Sequence, residues 1–92
     1  FHVAPIRASV VDAIEELLDE LPRSGRLSFR SLTEAFVERL DIIVRFLAVL
    51  ELFKQGLVDL RQAERFGDID IRWVAGATVP EIGEVLADSY EG

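Results

Sequence analysis

The sequence contains no cysteine, its one histidine is His2, and basic residues are scarce. Each shortage excludes a class of chemistry. Without cysteine there is no disulfide to staple a small fold, no thiolate nucleophile and no thiolate metal ligand. That absence also fits a reducing cytoplasm. With His2 near the start of the chain, no serine has a histidine base at hand and a serine triad is excluded. A metal site would have to be built from carboxylates alone, yet Glu15-Glu16 and Asp19-Glu20 lie on a helical face rather than in a recognisable loop. Gly25, Gly56, Gly67, Gly76 and Gly83 are isolated from one another, so no glycine-rich phosphate loop is present. A chain of 92 residues also offers little concave surface. Catalysis and bound cofactors are therefore not expected.

Long apolar runs are missing too. The longest interrupted one, Ile42 to Phe53, contains Arg45 and Glu51, and is too short and too charged for a membrane span. The start, Phe1-His2-Val3-Ala4-Pro5, lacks the basic and apolar regions of a signal peptide. It also lacks a Met, and we expect a piece of a longer polypeptide. Lys and Arg number 10 against 17 Asp and Glu, a net charge of -7. Nucleic-acid binding relies on clustered cations that neutralise phosphates, and no such cluster occurs, so DNA should be repelled.

What is present is enough for one hydrophobic core. Half of the residues are hydrophobic, well above what a disordered segment carries. Pro5 to Pro22 reads as a first helix, with Ile6, Val10, Ile14, Leu17, Leu18 and Leu21 on one face. Asp12, Glu15, Glu16 and Asp19 fall on the other, as a solvated face or a patch for a basic partner. Pro22 and Gly25 then break the helix. Residues 26–40 hold a short second helix with Phe29, Leu32 and Phe36 inward. Its start is marked either by Ser28 as N-cap or by the capping box Ser31-Leu32-Thr33-Glu34. A third helix runs from Asp41, which can cap it, to Gln55, with Gly56 just past its end.

After Gly56 the period changes. Ile69, Ile71 and Trp73 alternate with polar residues, as in a half-buried strand, and Val58 and Leu60 are in phase in a weaker strand over 57–62. The short polar stretch 63–65 joins them into a hairpin. Three helices in helix-turn-helix order followed by a two-stranded wing make a small α+β winged helix, over residues 1–75. Residues 76–92 form a tail in which Thr78-Val79-Pro80-Glu81 has the form of a capping box. A short, loosely packed C-terminal helix is expected there.

The third helix carries more apolar surface than one core face needs. On a helical wheel Ile42, Ile43, Phe46, Val49, Leu50 and Phe53 form a broad face expected to point inward. Val44, Ala48 and Leu52 form a second stripe, flanked by Arg45, Glu51 and Gln55. Either the wing and tail cover this stripe or a partner does. A DNA-reading helix would present polar and basic groups at these outward positions, and this one does not.

One ordered set of motifs carries a family resemblance. Arg26-Leu27-Ser28-Phe29-Arg30-Ser31-Leu32 is followed by the run from Asp41-Ile42-Ile43-Val44-Arg45-Phe46-Leu47 to Ala48-Val49-Leu50-Glu51-Leu52-Phe53-Lys54-Gln55-Gly56, then by Gln62 and Phe66-Gly67-Asp68-Ile69. Across residues 6–74 this resembles the C-terminal winged-helix domain of the bacterial segregation and condensation protein A (ScpA) family, the kleisin subunit of the SMC–ScpAB complex. The tail from Ala75 onward lies outside the resemblance, and 37–40 fit it loosely. The resemblance implies a non-catalytic module that docks on the cap side of an SMC ATPase head and helps close a ring around DNA. ATP would belong to the SMC heads. ScpB would bind a kleisin region absent from this sequence, and the location would be cytoplasmic, at the nucleoid. Combined with the second stripe, it nominates Val44, Arg45, Ala48, Leu52, Gln55, Leu57, Val58, Ile69 and Ile71 as partner-binding residues. A winged-helix DNA-binding regulator and a homodimerising scaffold are the competing readings, and a monomer is expected in isolation.

Overall fold

The first helix, α1 (Val3–Ser24), forms because its apolar residues recur at helical spacing on one side. The computed structural model describes residues 3–91, with side-chain surroundings for 9–87, so His2 and the side chain of Ile6 fall outside the described part. Ala13, Ile14, Leu17, Leu18 and Leu21 are buried and the four acids on the other side are exposed. The helix runs past Pro22, which gives up a single ladder hydrogen bond in the last turn. The stop is Gly25. Its φ of 79° is open to glycine, and its amide donates to the Leu21 carbonyl at 2.7 Å, closing the end in a left-handed cap.

The chain leaves that cap as a strand that the sequence reading did not anticipate. β1 (Arg26–Ser28) pairs antiparallel with β3 (Asp70–Trp73), which also pairs antiparallel with β2 (Val58–Arg61). The expected two-stranded wing is therefore a three-stranded sheet of order β1-β3-β2. Three residues with a single apolar side chain, Leu27, are too few to show an alternation. The pairing comes from a partner 44 positions away, in register Leu27↔Ile71. The wing strands themselves are shorter than expected, and residues 62–69 form the connection.

Ser28 ends β1 and caps α2 (Phe29–Thr33), its hydroxyl accepting from the Ser31 amide at 3.0 Å. Of the two proposed starts for this helix, the Ser28 cap is the one realised. α3 (Arg39–Lys54) begins two residues before the expected Asp41 cap. Glu38 stands at its N-cap with no side-chain bond, and Asp41 lies in the first turn, favourable to the positive helix end. At the other end the Gly56 amide donates to Phe53 and the Leu57 amide to Leu52, the paired closure that glycine at φ 78° permits.

The tail forms α4 (Ile82–Glu91), and it is not loose. Val85 is 2% exposed and belongs to the core, with Ile82 packed beside it and α4 against α1. The helix starts at Ile82, directly after the Thr78–Glu81 box, and the Glu84 carboxylate accepts from the Glu81 amide at 3.2 Å. The core is thus one cluster, built from the inward faces of α1 and α3, the sheet residues Val58 and Ile71, and Val85. The architecture is the winged-helix arrangement of the α+β class, with a terminal helix closing it.

Candidate functional site

α1 packs against α3, and each helix contributes a buried alanine to the shared core. Ala13 is 3% exposed and Ala48 is fully buried. Val44 and Leu52, four residues to either side of Ala48, are buried with it, as is the adjacent Val49. This reverses the expected faces of α3. Val44, Ala48 and Leu52 are core, whereas Ile43, Phe46, Leu50 and Phe53, expected inside, face solvent together with Leu47. Ile43 remains 44% and Phe53 48% exposed. Only Val49 of that set is fully inside, with Ile42 half-buried.

The polar residues flanking the core stripe explain the reversal. Arg45, Glu51 and Gln55 stand on the margins of the buried side and each has an internal partner. The Arg45 guanidinium donates to Glu16 on α1 at 3.0 Å, sits 5.5 Å from the Phe36 ring, and has a side chain only 15% exposed. The Gln55 amide donates to Glu51 at 2.9 Å and to the Val85 carbonyl of α4 at 3.4 Å. These groups serve the interior seam rather than a free surface.

The other nominated residues are in the sheet region. Val58 and Ile71 are buried in the core, and Leu57 and Ile69 are half-buried and packed against it. So the structure brings the nine nominated residues together, but around the core. A buried side chain offers no surface to a partner while this packing persists.

The surface left over is a continuous apolar stripe. Ile43, Phe46, Leu47, Leu50 and Phe53 follow one another at helical spacing along the outer side of α3. Phe29 of α2 packs edge-on against Phe46, with ring centroids 5.8 Å apart, extending the stripe towards the second helix. The exposed part is on the order of 400 Å², which is as large as the biggest patch on many soluble monomers. Helical periodicity drew attention to Ile43, Phe46, Leu50 and Phe53 but assigned them to the core, and it left Leu47 unassigned. The overlooked signal was Ala48, a small side chain of the narrower stripe that is fully buried in the core.

The wing tip presents Phe66, 93% exposed and held at φ 64°. A left-handed conformation costs a bulky residue about 1 kcal/mol. The turn beneath it is fixed by the Gly67 amide bonding to the Glu64 carbonyl at 2.9 Å, and by Gln62 donating to the Gly67 carbonyl at 2.7 Å. Behind the tip, Asp68 joins wing to α2 by accepting the Arg30 and Ile69 amides at 2.9 and 2.8 Å. The Arg30 amide is the main cause holding the Asp68 carboxyl below its usual range. The Ile69 amide, the Ser28 hydroxyl and the Arg30 charge add to it, against partial desolvation.

Shallow clefts among the described residues include two lined by charged side chains. One, of about 280 Å³, lies over the Arg45–Glu16 seam beside Asp12 and Asp41, and another of about 590 Å³ lies between Arg26, Arg61, Asp68 and Asp70. Among the described residues no group of three or more histidines or carboxylates could hold a metal ion, and no helix is long and apolar enough to cross a membrane.

A family model described as Segregation and condensation protein ScpA matches residues 5–74. The chain is 36% identical over 66 residues to a protein named Segregation and condensation protein A in Halothermothrix orenii, a match covering 72% of this chain and 27% of that protein. The same figures hold for the protein of that name in Caldanaerobacter subterraneus subsp. tengcongensis. A third relative so named, from Macrococcus caseolyticus, is 32% identical over 63 residues, or 68% of this chain and 26% of that protein. The chain spans about a quarter of the length of these curated relatives.

Proposed function

Because the chain belongs to the segregation and condensation protein A (ScpA) family, we propose that it acts in chromosome segregation and condensation as a non-catalytic docking module. Its partner in this reading is the cap side of an SMC ATPase head, and the contact helps close the SMC–kleisin ring. ScpB binds elsewhere on the full-length kleisin, and the protein works in the cytoplasm at the nucleoid. Residues 1–75 are the docking domain, and Val85 and Ile82 of the following segment pack on its core.

The observation that carries this reading is the apolar outer stripe of α3. In a winged helix this is the face a DNA reader offers to base edges, and there it is polar and basic. Here it is Ile43, Phe46, Leu47, Leu50 and Phe53, all exposed. Aliphatic and aromatic side chains cannot satisfy base edges or phosphates, but they release water on meeting another apolar surface. The contact set we propose is therefore this stripe, in place of the buried Val44, Ala48 and Leu52.

Calorimetric titration of the chain into a purified SMC head tests it. Saturable one-to-one binding is expected, lost in Leu50→Glu and Phe46→Glu, whose circular dichroism melts stay close to the unsubstituted chain. Leu52→Glu is the contrasting control, because it puts a carboxylate into the core and unfolds the domain. Binding that survives both surface substitutions would remove the stripe from the interface.

A further inference from the structure

The outer face of α3 is apolar along its middle but carries a cation at each end and no carboxylate between them. At about 100° per residue, Arg39 falls within about 20° of Phe46, and Lys54 lies close to Leu47 on the same side. The two acids of the helix, Asp41 and Glu51, both fall on the opposite half. Along the axis the two cations are about 22 Å apart at 1.5 Å per residue.

Arg39 is the informative one. It is exposed, and among the described residues it makes no ion pair. It also occupies the first residue of α3, where the positive end of the helix disfavours a cation. Glu38 precedes it and does not pair with it. Lys54 lies at the end where a cation is favoured, and pairs with Glu51 at 3.3 Å, so its placement has an internal explanation. In a chain of net charge -7, the charge on this face that no partner compensates is the positive one of Arg39, against the sign of the whole.

We propose that the surface received by this face is an apolar strip with a carboxylate opposite Arg39, and that this pair sets the direction in which α3 lies on its partner. The proposal rests on the docking reading above. It selects an acid-rimmed protein surface over a second copy of this chain. Parallel self-pairing would set Arg39 against itself, and antiparallel self-pairing would bring it to Lys54 and to a Glu51 carboxylate that Lys54 already engages, so neither offers Arg39 a free carboxylate. A DNA backbone would suit the cations but leave the apolar middle facing phosphates and water.

The test is binding of the chain to a purified SMC head at low and high salt. Arg39→Glu is expected to weaken binding about ten-fold or more at low salt, with most of the loss gone in high salt, as for a charge at the rim of an interface. Arg39→Lys should restore most of the affinity. The same Arg39→Glu change should leave the melting temperature unchanged or raise it, since an acid suits the helix start. Weaker binding with equal or greater stability cannot come from unfolding. If Arg39→Glu binds within two-fold of the unsubstituted chain while Leu50→Glu does not bind, the charge proposal falls and the docking reading stands. If the unsubstituted chain does not bind the head at all, the docking reading falls and takes this one with it. Tight, salt-sensitive binding of duplex DNA that Arg39→Glu removes would overturn the choice of a protein partner.

Discussion

In α1 the apolar residues Ile14, Leu17, Leu18 and Leu21 lie in the core, while Asp12, Glu15, Glu16 and Asp19 face water. In α3, which packs against it, the broader apolar face points away from the core, and the inward side carries the smaller stripe of Val44, Ala48 and Leu52 with polar residues at its margins. The difference teaches what hydrophobic periodicity measures. A helix with one apolar face has one place to put it, so the wheel identifies the core. A helix with two apolar faces leaves the choice to its neighbour, and the neighbour chooses by shape. The side of α3 that packs inward is the one containing Val44, Ala48 and Leu52. The larger face is then left exposed.

The comparison is broken most directly by truncating the same side-chain type on each face of α3. Leu52→Ala, at a site with no exposed surface, should lower the unfolding free energy by about 3 kcal/mol, and Leu50→Ala by less than about 1 kcal/mol. Urea titrations of the two variants check it, and equal losses would mean that the faces are assigned the wrong way round. Next in size is removal of α4 by ending the chain after Ala75. Val85 is almost wholly buried on this core, so the loss should be about 2 kcal/mol, read as a lower urea midpoint.

A smaller effect belongs to the seam between the helices. Arg45→Ala removes the bond to Glu16 and the contact with Phe36, for about 1 kcal/mol. A double-mutant cycle with Glu16→Gln should give a coupling of about 0.5 kcal/mol, since Glu16 is largely exposed. A coupling of zero would show that the pair does not hold α1 to α3. The smallest effect lies outside both helices, at Asp68. Its pKa is lowered in the folded state, so the stability it adds is present above the usual carboxylate range and is lost as pH falls through the folded value. Asp68→Asn keeps an oxygen for the Arg30 and Ile69 amides but removes the charge. Stability measured from neutral to acidic pH should therefore fall less steeply in the variant. An unchanged slope would place the acid sensitivity elsewhere.

Much of the fold was legible because the signals were local. Ser28 could cap α2 from its own hydroxyl, Gly56 could close α3 because glycine accepts a left-handed turn, and Ile71 and Trp73 alternated as a strand must. β1 was not legible. Arg26–Ser28 becomes a strand only because β3 offers it hydrogen bonds from across the chain. α4 was half legible, since its amphipathic pattern was visible but the hydrophobic site that receives Val85 was not.

The candidate site divides along the same line. Its helix, its excess of apolar residues and its family motifs stand in the sequence, and so does the shortage of cations that argues against DNA. By itself the sequence determined that α3 has two apolar stripes, because composition and helical spacing are properties of one segment. Which stripe is buried was decided only when α1, the sheet and α4 closed around it. That choice depends on how the inward side of α3 fits the rest of the core, and on whether Arg45 and Gln55 find partners on other elements. Packing and polar satisfaction are properties of pairs of segments, and no single helix contains them.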